Sequence, residues 1–223
     1  MRRAGAVLAA AVLVWACATE PVLTPEAPLL ASPLSTRADS DDIRRQIAQF
    51  ELKGDWQALS ELAAGLIALE PSNSDWLVIL GYARLHAEDY GKAIEVLRQV
   101  ADRTPEDVDA SNLQGEALRL SGQADSAIRV LERSVFSHPN SVAGWFLLGE
   151  AYRDTQRLER ARHAYSEAVR LQPEYGLGWY GMAAVLGRIG PKDEYEDALK
   201  KLQSLSPALY QQHLKLRNPA GRN

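Results

Sequence analysis

Five prolines, Pro71, Pro105, Pro139, Pro173 and Pro207, stand 34 residues apart, and a fixed period of that length constrains the fold of this chain more than any other feature. Trp145 recurs as Trp179 at the same interval. Gly81, Gly115 and Gly149 share one position, continued by Ala183, and Ala93, Ala127 and Ala161 share another. A unit repeated this regularly cannot bury its apolar face alone, so neighbouring copies stack and bury a continuous core. The register divides the chain into units 40–73, 74–107, 108–141, 142–175 and 176–209. The proline near the end of each unit disfavours helix at the residue before it and enforces a turn into the next.

The unit from Val142 to Pro173 shows what each copy is. Trp145, Leu148, Gly149 and Tyr152 are followed by Ala161, Tyr165, Ala168 and Pro173, a W-x2-L-G-x2-Y pattern continued by small, aromatic and proline positions. On these residues the chain resembles the tetratricopeptide-repeat (TPR) family. The resemblance implies an all-α fold: a right-handed superhelical solenoid of about five helix-turn-helix units, closed by a short C-terminal capping helix. Turns after each first helix are expected near Gly54, Glu88-Asp89, Gly122, Gln156-Arg157 and Gly190-Pro191, with glycine suiting a left-handed cap in three of them. Bulky neighbours such as Trp145 are expected to fill the grooves around the small residues, so Trp145→Ala should cost about 3–5 kcal/mol as a core truncation. Unit 1 departs from the pattern, with Ile47 and Leu59 at the two small positions, and its helix pair is expected to sit further apart or tilted. Tyr195 and Leu202 replace two small residues in unit 5, and relaxed packing is expected at both ends of a stack. Leu209, His213 and Leu216 fall on one helical face, predicting a helix over 208–217 that runs from the end of unit 5 into a cap and tail spanning 210–223.

The N-terminus predicts export. Met1-Arg2-Arg3 is cationic, and Ala4 to Trp15 is an apolar run of signal-peptide size, too short for a membrane span. Residues 1–16 are expected to be the signal. Val14-Trp15-Ala16-Cys17 resembles a bacterial lipobox, with tryptophan in the middle position where a smaller residue is usual. That resemblance implies cleavage before Cys17, lipid on its sulfur and new amine, and a stable anchor, since each buried methylene contributes about 0.8 kcal/mol and several acyl chains are present. Ala18, in place of a retention-signalling aspartate, points by analogy to the outer membrane, facing the periplasm. The alternatives are a plain signal peptide cut near Ala16 or Ala18, giving a periplasmic or secreted protein, and an uncleaved anchor. Residues 17–39, with Pro21, Pro25, Pro28 and Pro33, are expected to be a tether.

A formal charge of −4 offers no basic excess for a phosphate backbone, so nucleic-acid binding is disfavoured. One cysteine cannot form an internal disulfide, and His86, His138, His163 and His213 lie in different units without metal-ligand spacing. No phosphate-cradling glycine loop or catalytic constellation is present, so neither cofactor nor enzymatic activity is expected. The acidic stretch Asp39-Ser40-Asp41-Asp42 is expected to cap the first helix rather than hold a cation.

The TPR resemblance instead implies a scaffold that holds a peptide or helix along a concave wall of first helices. Carrying the family's groove positions onto this chain selects Arg44 and Ala48, Val78 and Tyr82, Asn112, Glu116 and Arg119, Phe146, Glu150 and Arg153, and Tyr180 with Ala184. For the charged members the alternative is an intramolecular pair, Glu116 with Arg119 or Glu150 with Arg153. For the aromatic ones it is packing between repeats. Residues of the clamp that holds chaperone tails in related domains are absent, since Asp109 and Leu113 stand where it needs lysine and arginine. Signal, lipobox, tether and repeats together resemble lipoproteins that assist pilus or secretin assembly or dock cell-wall hydrolases. A soluble exported adaptor without lipid and an accessory carbohydrate-binding protein are the other expectations.

Overall fold

The structure is a computed structural model that describes residues 37, 38 and 40–217. The expected signal, Cys17, the rest of the tether and the tail beyond 217 lie outside the described residues. These residues fold as helices: α1 (Asp41–Lys53), α2 (Trp56–Leu69), α3 (Ser74–His86), α4 (Tyr90–Arg103), α5 (Val108–Leu120), α6 (Ala124–Ser137), α7 (Val142–Asp154), α8 (Leu158–Leu171), α9 (Gly176–Ile189), α10 (Lys192–Leu205) and α11 (Pro207–Arg217). No strand occurs among the described residues.

Local chemistry sets the boundaries. Ser40, Asp55, Asn73, Asp107 and Ser141 cap helix N-termini by accepting a hydrogen bond from a first-turn amide. Each even-numbered helix from α2 to α10 stops two residues before one of the five periodic prolines. The turns inside the units close through a left-handed residue, Gly54 at φ +65°, Glu88 at 60°, Gly122 at 82° and Gln156 at 59°. Two of the four are not glycine. The expected glycine cap at Gly190 does not form, because Pro191 forces its predecessor into extended backbone, and Gly190 has φ −86° and ψ 164°.

From α3 to α9, each odd-numbered helix packs against its own partner, against the helix before it and against the next odd-numbered helix, whereas the even-numbered helices do not pack on one another. The odd-numbered helices therefore form the inner layer of a solenoid. Its tightest contacts are where small meets large. A Cβ on Gly81 would lie 2.5 Å from Leu97 Cγ, one on Gly115 2.5 Å from Leu131 Cγ, and one on Gly149 2.6 Å from Tyr165 Cε1. Glycine in the first helix and a large residue sixteen positions on thus form one lock, repeated three times. Unit 1 inverts it. Ile47 takes the glycine position and Ala63 the large one, both fully buried, and the α1–α2 pair is the most loosely packed of the pairs.

Trp145 corrects an expectation. It is half-buried at the edge of the core, and its indole N–H donates to the Pro139 carbonyl at 2.9 Å. Trp179 repeats the bond to Pro173 at 2.8 Å, so these tryptophans staple the proline turns. The wholly buried aromatic of unit 4 is Tyr165.

Arg37 and Ala38, at the end of the stretch expected to be a tether, are packed. Arg37 donates to Asp75 at 2.6 Å, to Asp107 at 2.9 and 3.1 Å and to Asp109 at 2.8 Å, and Ala38 is buried. The chain thus enters α1 after crossing the starts of α3 and α5.

Candidate functional site on the inner helix layer

The inner face changes character along its length. At the N-terminal end it is aromatic: the rings of Trp56 and His86 stack with centroids 4.5 Å apart, and Tyr82 meets Trp56 edge-on at 5.8 Å. Burial pushes the Tyr82 hydroxyl up to about 12 and holds the His86 imidazole below its usual pKa, hence neutral at pH 7. From α5 onward the face is charged. Arg119 donates to both oxygens of Glu116, at 2.8 and 2.9 Å, and reaches the next repeat at Asp154, 2.8 Å away. Arg153 donates to Glu150 at 2.7 Å.

These pairs lie largely out of water. Burial opposes the charge on Arg119, but the hydrogen bonds and attraction of Glu116, with Glu150 and Asp154, outweigh it and hold the guanidinium protonated. Burial raises the pKa of Glu150 against the pull of Arg153 and Arg119. Glu150 also accepts a hydrogen bond from the Tyr165 hydroxyl at 2.5 Å, so the fixed ion pairs are bolted to the aromatic at the centre of the core. A polar relay lies beside them. Asn112 accepts from the Ser134 hydroxyl at 3.1 Å and donates to Ser141 Oγ at 3.2 Å, the oxygen that caps α7.

The residues selected from sequence fall into two groups. Val78, Tyr82, Asn112, Glu116, Phe146, Glu150 and Tyr180 are buried, with Phe146 against Tyr165 and Tyr175. Arg119 and Arg153 stay partly open, their side chains 15% and 25% exposed. Arg44 is separate from both groups, on α1 and within 3.5 Å of Asp41. The i,i+3 pairing left open from the sequence is what Glu116–Arg119 and Glu150–Arg153 adopt.

At the far end of this face sequence reasoning selected Arg153, Tyr180 and Ala184 but missed what stands around them. A recess of about 560 Å³ opens there, lined by Arg153 and Asp154 of α7, Tyr180, Ala184 and Arg188 of α9, and His213 and Arg217 of α11. Arg188 donates to Gln156 Oε1 at 2.8 Å, and His213 shares a 3.0 Å hydrogen bond with the Tyr195 hydroxyl. Most of this lining comes from helix C-termini and the capping helix, positions that the family's groove pattern does not include.

Paired antiparallel helices in a layered stack, with a polar and partly open inner face, define a helical-repeat protein. The tetratricopeptide-repeat model matches residues 54–108, 80–133 and 112–176, together more than half of the chain, and the chain belongs to the tetratricopeptide-repeat family. It is similar in fold to a thermophilic TPR protein of Thermus thermophilus, at 19% identity and a TM-score of 0.64 over 75% of this chain and 94% of that one. It is also similar to MamA of Desulfovibrio magneticus RS-1, at 24% identity and a TM-score of 0.58 over 83% of this chain and all of that one. A further MamA crystal structure matches at 17% identity and a TM-score of 0.58, covering 77% and 95% of the two chains. No curated protein sequence matches the chain significantly.

Proposed function

We propose that this protein is a non-enzymatic scaffold of the bacterial envelope that holds a segment of a partner protein against its inner, concave wall. It is exported by residues 1–16, tied to the outer membrane by lipid on Cys17, and serves assembly of an envelope machine. One observation carries the binding reading: the guanidinium groups of Arg119 and Arg153 are immobilised by buried carboxylates yet remain partly exposed. Side chains fixed in this way lose little entropy when a ligand arrives and keep spare donors for backbone carbonyls or carboxylates. Family membership supports the same reading. The signal and lipobox pattern of the sequence supports the anchor.

Phe146 belongs to the core, so substituting it tests packing, and the binding test belongs on open positions. A photo-crosslinking residue at Asp154, on the inner face, is expected to capture a discrete partner in intact cells, whereas the same residue at Arg129, on the outward α6, captures none. Equal capture at both positions, or none at either, refutes the inner-face reading. Intact-mass measurement of the membrane-extracted protein tests the anchor independently, with acyl mass expected at Cys17. A mass that corresponds to simple cleavage selects the soluble adaptor instead.

A further inference from the structure

In α5 and α7 each arginine of the inner face has a glutamate three residues before it, Glu116 for Arg119 and Glu150 for Arg153. One period further on, α9 carries neither partner: the glutamate position is Ala184 and the arginine position is Gly187. A guanidinium is nevertheless there, supplied by the capping helix. Nη1 of Arg217 lies 2.6 Å from where a Cβ on residue 187 would stand, so the guanidinium occupies space that a side chain at 187 would take. It is steadied by the Tyr195 ring, whose centroid lies 4.4 Å from the Arg217 Cζ. The row of cations therefore continues into the last repeat, while the row of carboxylates stops one repeat earlier.

The surroundings leave this end of the face positive. Asp154 is committed to Arg119 and Glu150 to Arg153. Arg188 is bonded to the neutral amide of Gln156, and among the described residues neither Arg188 nor Arg217 lies in an ion pair. Three guanidiniums and one carboxylate thus line a recess of about 560 Å³ in a chain whose net charge is −4. A glutamate side chain is much smaller than that space. The two preceding repeats also show which group such a guanidinium takes, and in both it is a carboxylate met at hydrogen-bond distance.

We infer that the recess between α9 and α11 binds a carboxylate of an acidic peptide, seated over Ala184 where a third glutamate would stand and held by Arg217 and Arg188. The inference rests on the inner-face reading and adds the chemistry of the ligand. The occupant completes the ion-pair row in trans, so a carboxylate supplied in cis should exclude it.

Fluorescence anisotropy of the full folded chain with a labelled hexaglutamate peptide tests this, using hexaglutamine and inorganic phosphate as competitors. Saturable binding is expected, displaced by unlabelled hexaglutamate and by neither competitor. Ala184→Glu and Arg217→Gln should each weaken it at least tenfold, with an unchanged circular dichroism spectrum and, for Ala184→Glu, an equal or higher melting temperature. Should Ala184→Glu fold poorly, Arg188→Gln provides the second reading, also with at least a tenfold loss. Equal affinity for free and amidated C-termini assigns the site to side-chain carboxylates, and loss on amidation assigns it to a chain-terminal one; both support the proposal. Absence of saturable binding up to millimolar peptide, displacement by phosphate, or affinities untouched by these substitutions overturn it. If hexaglutamate fails while position 154 still captures its partner, the carboxylate site falls and the inner-face reading stands.

Discussion

Substituting Gly81 with alanine probes the lock between the paired helices directly. The added methyl would stand 2.5 Å from Leu97 Cγ and 2.6 Å from Cδ2, about 1 Å short of ordinary contact. Both residues are packed on all sides, so relief requires moving a fully buried leucine or spreading α3 from α4. Overpacking of this kind costs about 1–3 kcal/mol, offset by about 1 kcal/mol from replacing glycine inside a helix. The net expectation is a loss of about 1 kcal/mol. Leu97→Ala alone should cost about 2–5 kcal/mol through the cavity it leaves. In the double substitution the methyl added at position 81 has no leucine to meet and fills part of that cavity. Gly81→Ala should then become neutral or stabilising, with a coupling energy of about 1.5 kcal/mol or more between sites that otherwise add. Ile47 and Ala63 in unit 1 are a natural version of the exchanged sizes. The four proteins are compared by urea unfolding followed by far-UV circular dichroism. Additivity within about 0.5 kcal/mol would mean that the glycines are not there to admit the large residues.

Glu88→Gly should stabilise the chain by about 0.5–1 kcal/mol, because the left-handed strain of a non-glycine residue exceeds the extra entropy glycine loses on folding; a lower unfolding midpoint refutes the cap assignment. Arg37→Ala leaves Asp75, Asp107 and Asp109 without their shared cation, and about 1–2 kcal/mol should be lost, between the values for exposed and buried pairs because Asp75 is partly solvated; an unchanged midpoint would mean that the crossing segment is not anchored there. Burial raises the pKa of Tyr165 well above the usual 10, before the effect of Glu150, and raises Tyr82 to about 12. An unfolded tyrosine ionises near 10 while these stay protonated in the fold, so their contribution is complete below pH 10 and lost as pH rises above it. At pH 11 each should have lost about 1 kcal/mol, and a melting temperature flat from pH 9 to 11 would contradict the burial of both hydroxyls.

The periodic prolines made the helix boundaries legible, because proline acts on its neighbour through local sterics that need no tertiary context. The glycine register was legible because it recurs at the same 34-residue period, although its large partner sixteen residues on was not. That pairing depends on how the two helices rotate against each other, and the expectation placed Trp145 in the core where the structure uses Tyr165. The turns at Glu88 and Gln156 stand where the sequence places them, but their left-handed backbone was not legible, because neither residue is a glycine. Gly190 misled, since the proline after it decides its backbone. On the inner face, the i,i+3 pairs could be read as alternatives but not chosen, because burial decides whether a charge turns to a ligand or to its neighbour. Arg217 could not have been found from the groove pattern, as it reaches Gly187 from a helix outside the repeats.

The central claim is that the inner helix layer holds the partner. Amide hydrogen exchange of the chain, free and in complex with the partner captured through position 154, measures this most directly. Slowed exchange in the C-terminal turns of α5, α7 and α9 and in α11, with α4, α6 and α8 unchanged, is the result the account predicts. Protection that falls on α4, α6 and α8 while the inner turns exchange as in the free protein would contradict it.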